Sequence, residues 1–175
     1  MEYLKIRDQI KTGDALLFSG GNWKSWYGFQ VMMVRMFKPS EWSHIGMAWV
    51  AHNRVFIMES VGNGIRLFPL SRELPFGWVS RPKELSEFAL DWAFAHIAVK
   101  YPAKWKMVLN KGFGLHIDEE GALDCSDFFM GILEQDGEIL DCPRDPTSIL
   151  RELMQHWGSL SLVEQGEVVA VVEKI

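Results

Sequence analysis

Three residues of the sequence can together carry nucleophilic chemistry: Cys125, His44 and Glu59. Asp124 is a good helix N-cap, and Cys125, Phe128, Phe129 and Ile132 after it fall on one helical stripe, which places the thiol in the first turn of a helix. Unpaired backbone N–H groups and the helix dipole favour a thiolate there and lower the thiol pKa below its free value of about 8.5. The competing reading is a small buried hydrophobe on an apolar stripe. His44 belongs to the strand SHIGMAWV, whose alternation puts His44, Gly46, Ala48 and Val50 on one face and Ile45, Met47 and Trp49 on the other. The His face carries small residues and can accept a closely packed helix. A lone strand histidine can equally be a hydrogen-bonded core or edge residue.

Hairpin arithmetic adds the carboxylate. If SHIGMAWV and RVFIMESV are joined by a symmetric two-residue loop at His52-Asn53, Ala48 faces Ile57, Gly46 faces Glu59 and His44 faces Val61. Glu59 is then diagonal to His44 on the same face, with Cβ atoms roughly 7 Å apart, within reach of an imidazole. A three-residue loop would break this parity and leave Glu59 as a strand-end charge in water.

The remaining candidates lack such support. Cys142 precedes Pro143 in a loop and has no helix to activate it; His96 lies on an inward helical stripe, His52 in a turn, His116 in a loop and His156 at a helix end. Asp14 reads as a turn former at a strand start. Two cysteines fit neither a disulfide scaffold nor a zinc knuckle, and the histidines show no HxH or HxxxH pairing, so no metal and no cofactor is expected. GxSxG, P-loop and GxGxxG patterns are absent.

The elements that must position these groups are short strands and a few helices. Strands are expected over Asp14–Phe18, Ser43–Val50, Arg54–Val61, Gly64–Leu70 and about Trp78–Ser80, the last four as an antiparallel meander. After Pro82 the period changes: Leu85, Phe88, Ala89, Trp92 and His96 recur on one face of a helix running to about Lys100. A short helix is expected near Trp105–Leu109, a second from Asp124 to Gly137, and a third opened by Asp145-Pro146 and reaching Trp157. Leu160–Val163 and Val168–Val172 read as a closing hairpin. Between the first two strands, NWKSWYGFQVMMVRMF (Asn22–Phe37) is apolar on nearly all sides; it is either a helix buried between the sheet and a neighbour, or a wall for an acyl chain or partner, with Trp26 and Met33 as substrate-binding candidates. The class is α+β, an antiparallel sheet packed by helices.

A chain of 175 residues, 48% hydrophobic and 23% charged, is expected to form one domain over residues 1–175. Its net charge of −5 and scattered basic residues exclude nucleic acid as a partner. The N-terminus MEYLKIRDQIKTGD has no apolar h-region and no stretch reaches membrane-span length, so a cytoplasmic location is expected, with a phage-encoded or otherwise delivered protein as the alternative.

In order along the chain, KTGDALLFSG, SHIGMAW, VFIMES, a helix and DCSDFF resemble the circularly permuted NlpC/P60 enzymes, papain-like cysteine hydrolases related to lecithin retinol acyltransferase. The resemblance runs from about Gly13 to Phe129. It implies a permuted papain-like fold in which the His strand and an acidic residue precede the nucleophile, matching His44, Glu59 and Cys125 as base, orienting group and nucleophile. The implied chemistry is acyl transfer through a thioester, with an amide (peptide or lipid-linked) cleaved, or alternatively an acyltransferase, a lipid esterase or an inactive binding module on the same scaffold. A peptide or acyl-bearing small molecule is the implied substrate, with transient lipid contact open. The Cys125 N–H is the natural oxyanion donor, and Tyr101 is the candidate for the tyrosine typical of the group.

Overall fold

The computed structural model describes residues 2–19, 42–99 and 122–164, together with the backbone of 168–172. Trp26, Met33 and Tyr101, the apolar segment around the first two and the helix expected near Trp105 lie outside the described residues.

Seven strands among the described residues form one antiparallel sheet: β1 (Ala15–Phe18), β2 (His44–Ala51), β3 (Arg54–Val61), β4 (Gly64–Pro69), β5 (Phe76–Val79), β6 (Leu160–Val163) and β7 (Val168–Val172), in the order β4-β3-β2-β1-β5-β6-β7. The α+β class is therefore correct. The meander, however, holds only for β2, β3 and β4. A 3-10 turn at Leu70–Arg72 carries the chain off the β4 edge, and β5 pairs with the far side of β1, Leu17 opposite Gly77. Gly77 tolerates this position because a Cβ there would stand 2.8 Å from the Trp42 ring and 2.9 Å from Leu160.

The β2–β3 turn has the two-residue form that fixes the register. His52 and Asn53 both adopt positive φ, 49° and 59°, the signature of a type I′ turn whose twist matches the strands it joins. Ala48 consequently faces Ile57 and Met47 faces Met58. The β3–β4 hairpin is equally tight: Val61 pairs with Gly64, and Glu59 faces Arg66.

The helices are α1 (Tyr3–Ile6), α2 (Glu87–Ala95), α3 (Cys125–Gln135) and α4 (Pro146–His156). Each of the last three is opened by its own side-chain cap. Ser86 accepts from the Ala89 N–H, Asp124 from Ser126 and Asp127, and Asp145 from Ser148, with Pro146 at the first helical position of α4. Such a cap contributes on the order of 1 kcal/mol. Helix α2 is shorter than its apolar pattern suggests, because His96 caps it and Ala98 takes a φ of 71°. Phe88 is 66% exposed, so the inward face of α2 is Ala89 and Ala93, not the stripe through Phe88. Small residues there let α2 approach α3, where Trp92 occupies the space a Cβ on Gly131 would need.

Alternation along the strands sorts the core into two layers. Ala15, Leu17, Ile45, Met47 and Met58 face α2, α3 and α4, packing with Ala89, Phe128, Phe129, Ile132 and Leu153. Leu16, Ala48, Val55, Ile57 and Phe76 face the other way, where Tyr3 and Ile6 of α1 cover them. Two buried polar ties clamp the sheet. Asp14 is fully buried and accepts from the Lys11 N–H, the Arg81 N–H and the Trp78 indole at 2.9, 2.8 and 2.7 Å, so it is a hub between segments as well as a turn former. Arg81, buried over the Trp157 ring, donates through Nη2 to Asp136 and Glu138 just past α3.

Candidate functional site

His44 and Glu59 meet as the hairpin register requires. His44 Nε2 lies 2.6 Å from Glu59 Oε2, and both side chains are buried. The imidazole stands against the ring of Phe18, its cross-strand partner, with centroids 5.8 Å apart. The other carboxylate oxygen, Oε1, accepts from Arg66 Nε at 2.8 Å and lies 2.6 Å from Nη2 in the same ion pair. Arg66 reaches on to Glu73 at 3.2 Å, and its guanidinium lies 4.4 Å over the Phe68 ring. Both oxygens of one buried carboxylate are thus fixed from opposite sides.

Burial pulls the Glu59 carboxyl upward, but the hydrogen bond and charge of His44, followed by Arg66, more than offset it and hold the pKa below its ordinary value. Glu59 is accordingly the ionised acceptor. With a carboxylate at Oε2, Nε2 carries the proton of a neutral imidazole and Nδ1 is the basic nitrogen. Glu73 moves the other way, raised by burial and by the charge of Glu59.

Cys125 opens α3, buried, as the Asp124 cap predicts. The cap carboxylate takes the N–H groups of Ser126 and Asp127 at 2.8 and 2.9 Å, so neither can serve a developing oxyanion. It also sets a negative charge one residue from the thiol, which opposes part of what the helix dipole offers a thiolate. Ser60 Oγ donates to the Leu123 carbonyl at 2.6 Å. Because Ser60 follows Glu59 on β3, this bond brings the start of α3, and Cys125 with it, to the end of β2 and β3 that carries His44 and Glu59.

The small-residue face of β2 does receive a helix, but it is α1, not the helix of Cys125: α3 packs on the Ile45, Met47 and Met58 face, whereas His44 and Ala48 lie on the side covered by α1. Gly46 is small because the Ile57 side chain and the Met58 carbonyl fill the space beside it, at 2.6 and 2.9 Å from where a Cβ would be. The helix that carries Cys125 thus packs on the face of the sheet opposite to that of Phe18 and His44, and the Ser60–Leu123 bond ties its start to the strand end that carries Glu59.

Of the weaker candidates, His116 lies outside the described residues, and the others fall into structural roles. His52 is an exposed turn residue, His156 is exposed beside Glu152, and His96 is half-buried with Nδ1 2.7 Å from the Trp92 carbonyl. The thiol of Cys142 is pushed up by burial and then by Glu152, Asp145 and Asp141, the opposite of activation. Arg66 is the functional neighbour that the sequence reading omitted, although the Gly62-Asn63 turn signal would have paired it with Glu59.

No family model matches the chain, and no curated protein matches it. Among solved structures it is similar to the metalloprotein yiiX from Escherichia coli O157:H7, a DUF1105 protein, with a TM-score of 0.56 and 14% identity over 95% of this chain and 98% of that one. That protein is described as a metalloprotein; among the described residues here, no three His, Cys, Asp or Glu side chains come together as a metal-binding group. Nor is any helix among the described residues long and apolar enough to cross a membrane. At 14% identity the likeness concerns the fold alone.

Proposed function

We propose that the protein is a cysteine hydrolase on a circularly permuted NlpC/P60-like, papain-type scaffold, cleaving an amide bond of a peptide or lipid-linked substrate. The observation that carries this reading is the buried His44–Glu59 pair at 2.6 Å, set at the end of the sheet to which Ser60 anchors the capped helix of Cys125. A histidine buried against an ionised carboxylate is oriented and made more basic, as a nucleophile's partner must be.

In the proposed reaction His44 Nδ1 takes the thiol proton and the Cys125 sulfur attacks the amide carbonyl carbon. The tetrahedral oxyanion is met by the Cys125 backbone N–H, the donor the Asp124 cap does not use. The imidazolium, stabilised by Glu59, returns its proton to the departing amine as the C–N bond breaks, leaving a thioester. Water then gives a proton to His44, its oxygen adds to the thioester, and the sulfur leaves to regain the proton. Glu59 stays ionised throughout and fixes the imidazole in the tautomer each step needs.

The test is intact-mass and peptide mapping after incubation with a panel of N-acyl peptides and p-nitrophenyl esters of short and long chains. One acyl group should appear on Cys125, persist in Cys142→Ala and vanish in Cys125→Ala, a variant whose small side-chain loss leaves the fold intact. Acylation at Cys142 instead, or equal labelling of the two cysteines, would refute the assignment.

A further inference from the structure

A cavity of about 450 Å3 lies between α1, the β2–β3 turn and the 3-10 turn after β4. It is distinct from the His44–Glu59 site: neither residue lines it, and Phe56, the lining residue nearest to Glu59 along their strand, is three residues or about 10 Å away. Its volume falls within the range of small-molecule sites.

The lining inverts the charge of the protein. The chain carries −5 overall, yet the cavity is lined by Arg7, Arg54 and Arg72 and by no acidic residue. Arg7 leans on Asp8 at 3.2 Å, a contact exposed enough to contribute little. The side chains of Arg54 and Arg72 make no hydrogen bond or ion pair among the described residues. Around them the walls are mainly apolar, with Asn53 and Ser71 among them, and are held by the fold. Tyr3 packs edge-on against Phe76 with ring centroids 6.1 Å apart, Phe56 is paired with Pro69 across β3 and β4, and Arg54 sits in register with Ala51 beside the tight turn.

We propose that this cavity binds a ligand with a phosphate or carboxylate head on an apolar body. Guanidinium groups present planar, paired donors that match an oxyanion, and Tyr3, Val55 and Leu74 give the apolar body a surface. The same head group exists on free small molecules and on anionic lipids, and the two sources are separable.

The experiment titrates octyl phosphate below its micelle concentration into the full chain by calorimetry, with octyl glucoside and inorganic phosphate as comparisons. Wild type should bind octyl phosphate at one saturable site, more tightly than inorganic phosphate. An Arg54→Gln/Arg72→Gln double variant, altered only at exposed positions, should lose about tenfold or more in affinity while keeping its melting temperature. Co-sedimentation with phosphatidylglycerol vesicles that is lost in the double variant would assign the head group to lipid; no co-sedimentation alongside octyl phosphate binding would assign it to a free molecule. Octyl glucoside binding as well as octyl phosphate, affinity unchanged in the double variant, or no saturable binding to either octyl phosphate or the vesicles would each overturn the proposal.

Discussion

Replacing Glu59 by Gln should destabilise the fold by an amount that depends on pH in a defined direction. The substitution keeps the size of the side chain and one acceptor oxygen, so it removes charge more than contact. His44 and Glu59 side chains are 8% and 3% exposed, so the charged component of their bond is barely screened. A hydrogen bond to an ionised group is about twice as strong as a neutral one, worth roughly 1.5–3 kcal/mol against 0.5–1.5. Arg66 is 41% exposed, and its share is screened to about 0–1 kcal/mol. The expected loss at pH 7 is therefore about 1–3 kcal/mol. Because the folded pKa of Glu59 is depressed, its stabilisation is fully present above the unfolded value of about 4.3 and is lost as the pH falls from there through the folded value. Urea denaturation of wild type and Glu59→Gln between about pH 7 and pH 3 measures this directly. The two stabilities should converge in acid. Curves that stay parallel to the lowest pH would show that the carboxylate charge is not what holds the pair, and the argument for an ionised orienting group would fail.

Iodoacetamide at pH 6 should alkylate Cys125 far faster than Cys142, whose thiol is pushed up by burial and by three nearby carboxylates; peptide mapping reads the ratio, and a ratio unchanged by His44→Ala would break the link between thiol and imidazole. Gly46→Ala should cost about 1–3 kcal/mol by overpacking, since the Met58 carbonyl beside the new Cβ is backbone and cannot move aside; thermal melting checks it, and a neutral result would mean that β2 and β3 are less closely joined than described. Asp124→Ala should cost about 0.5–2 kcal/mol by releasing two capped N–H groups at the start of α3, measured by urea unfolding, whereas Asp124→Asn should recover most of it.

Local signals in the sequence locate the elements well where one turn or cap decides the outcome. His52-Asn53 announces the two-residue turn, and from it follow the Ala48–Ile57 pairing and the placement of Glu59 beside His44. Asp124 and Asp145-Pro146 mark the starts of α3 and α4. Contacts chosen by the whole chain are not written in any short window. Nothing near Phe76 tells β5 to leave β4 and join β1, and the bonds from Arg81 to Asp136 and Glu138 span more than fifty residues. The small face of β2 shows the same limit: small residues signal close packing, but not that α1 is the helix which covers the face or that at Gly46 the close neighbour is the adjoining strand. Arg66 was legible and overlooked, since the Gly62-Asn63 turn places it opposite Glu59 by the same counting that located Glu59.

The position of β1 constrains how the protein can be made. It is the fourth of seven strands in the sheet, flanked by β2 and β5, yet it precedes both of these partners along the chain. About sixty residues separate Leu17 from its partner Gly77, which at ordinary elongation rates is a delay of roughly 3–12 s. During that interval β2, β3 and β4 can form as two successive tight hairpins, while one edge of β1 must wait with its backbone groups unpaired. The strand order thus predicts a nascent chain that already holds the His44–Glu59 hairpin but still exposes an open strand, a species for a chaperone to shield until Phe76–Val79 arrives.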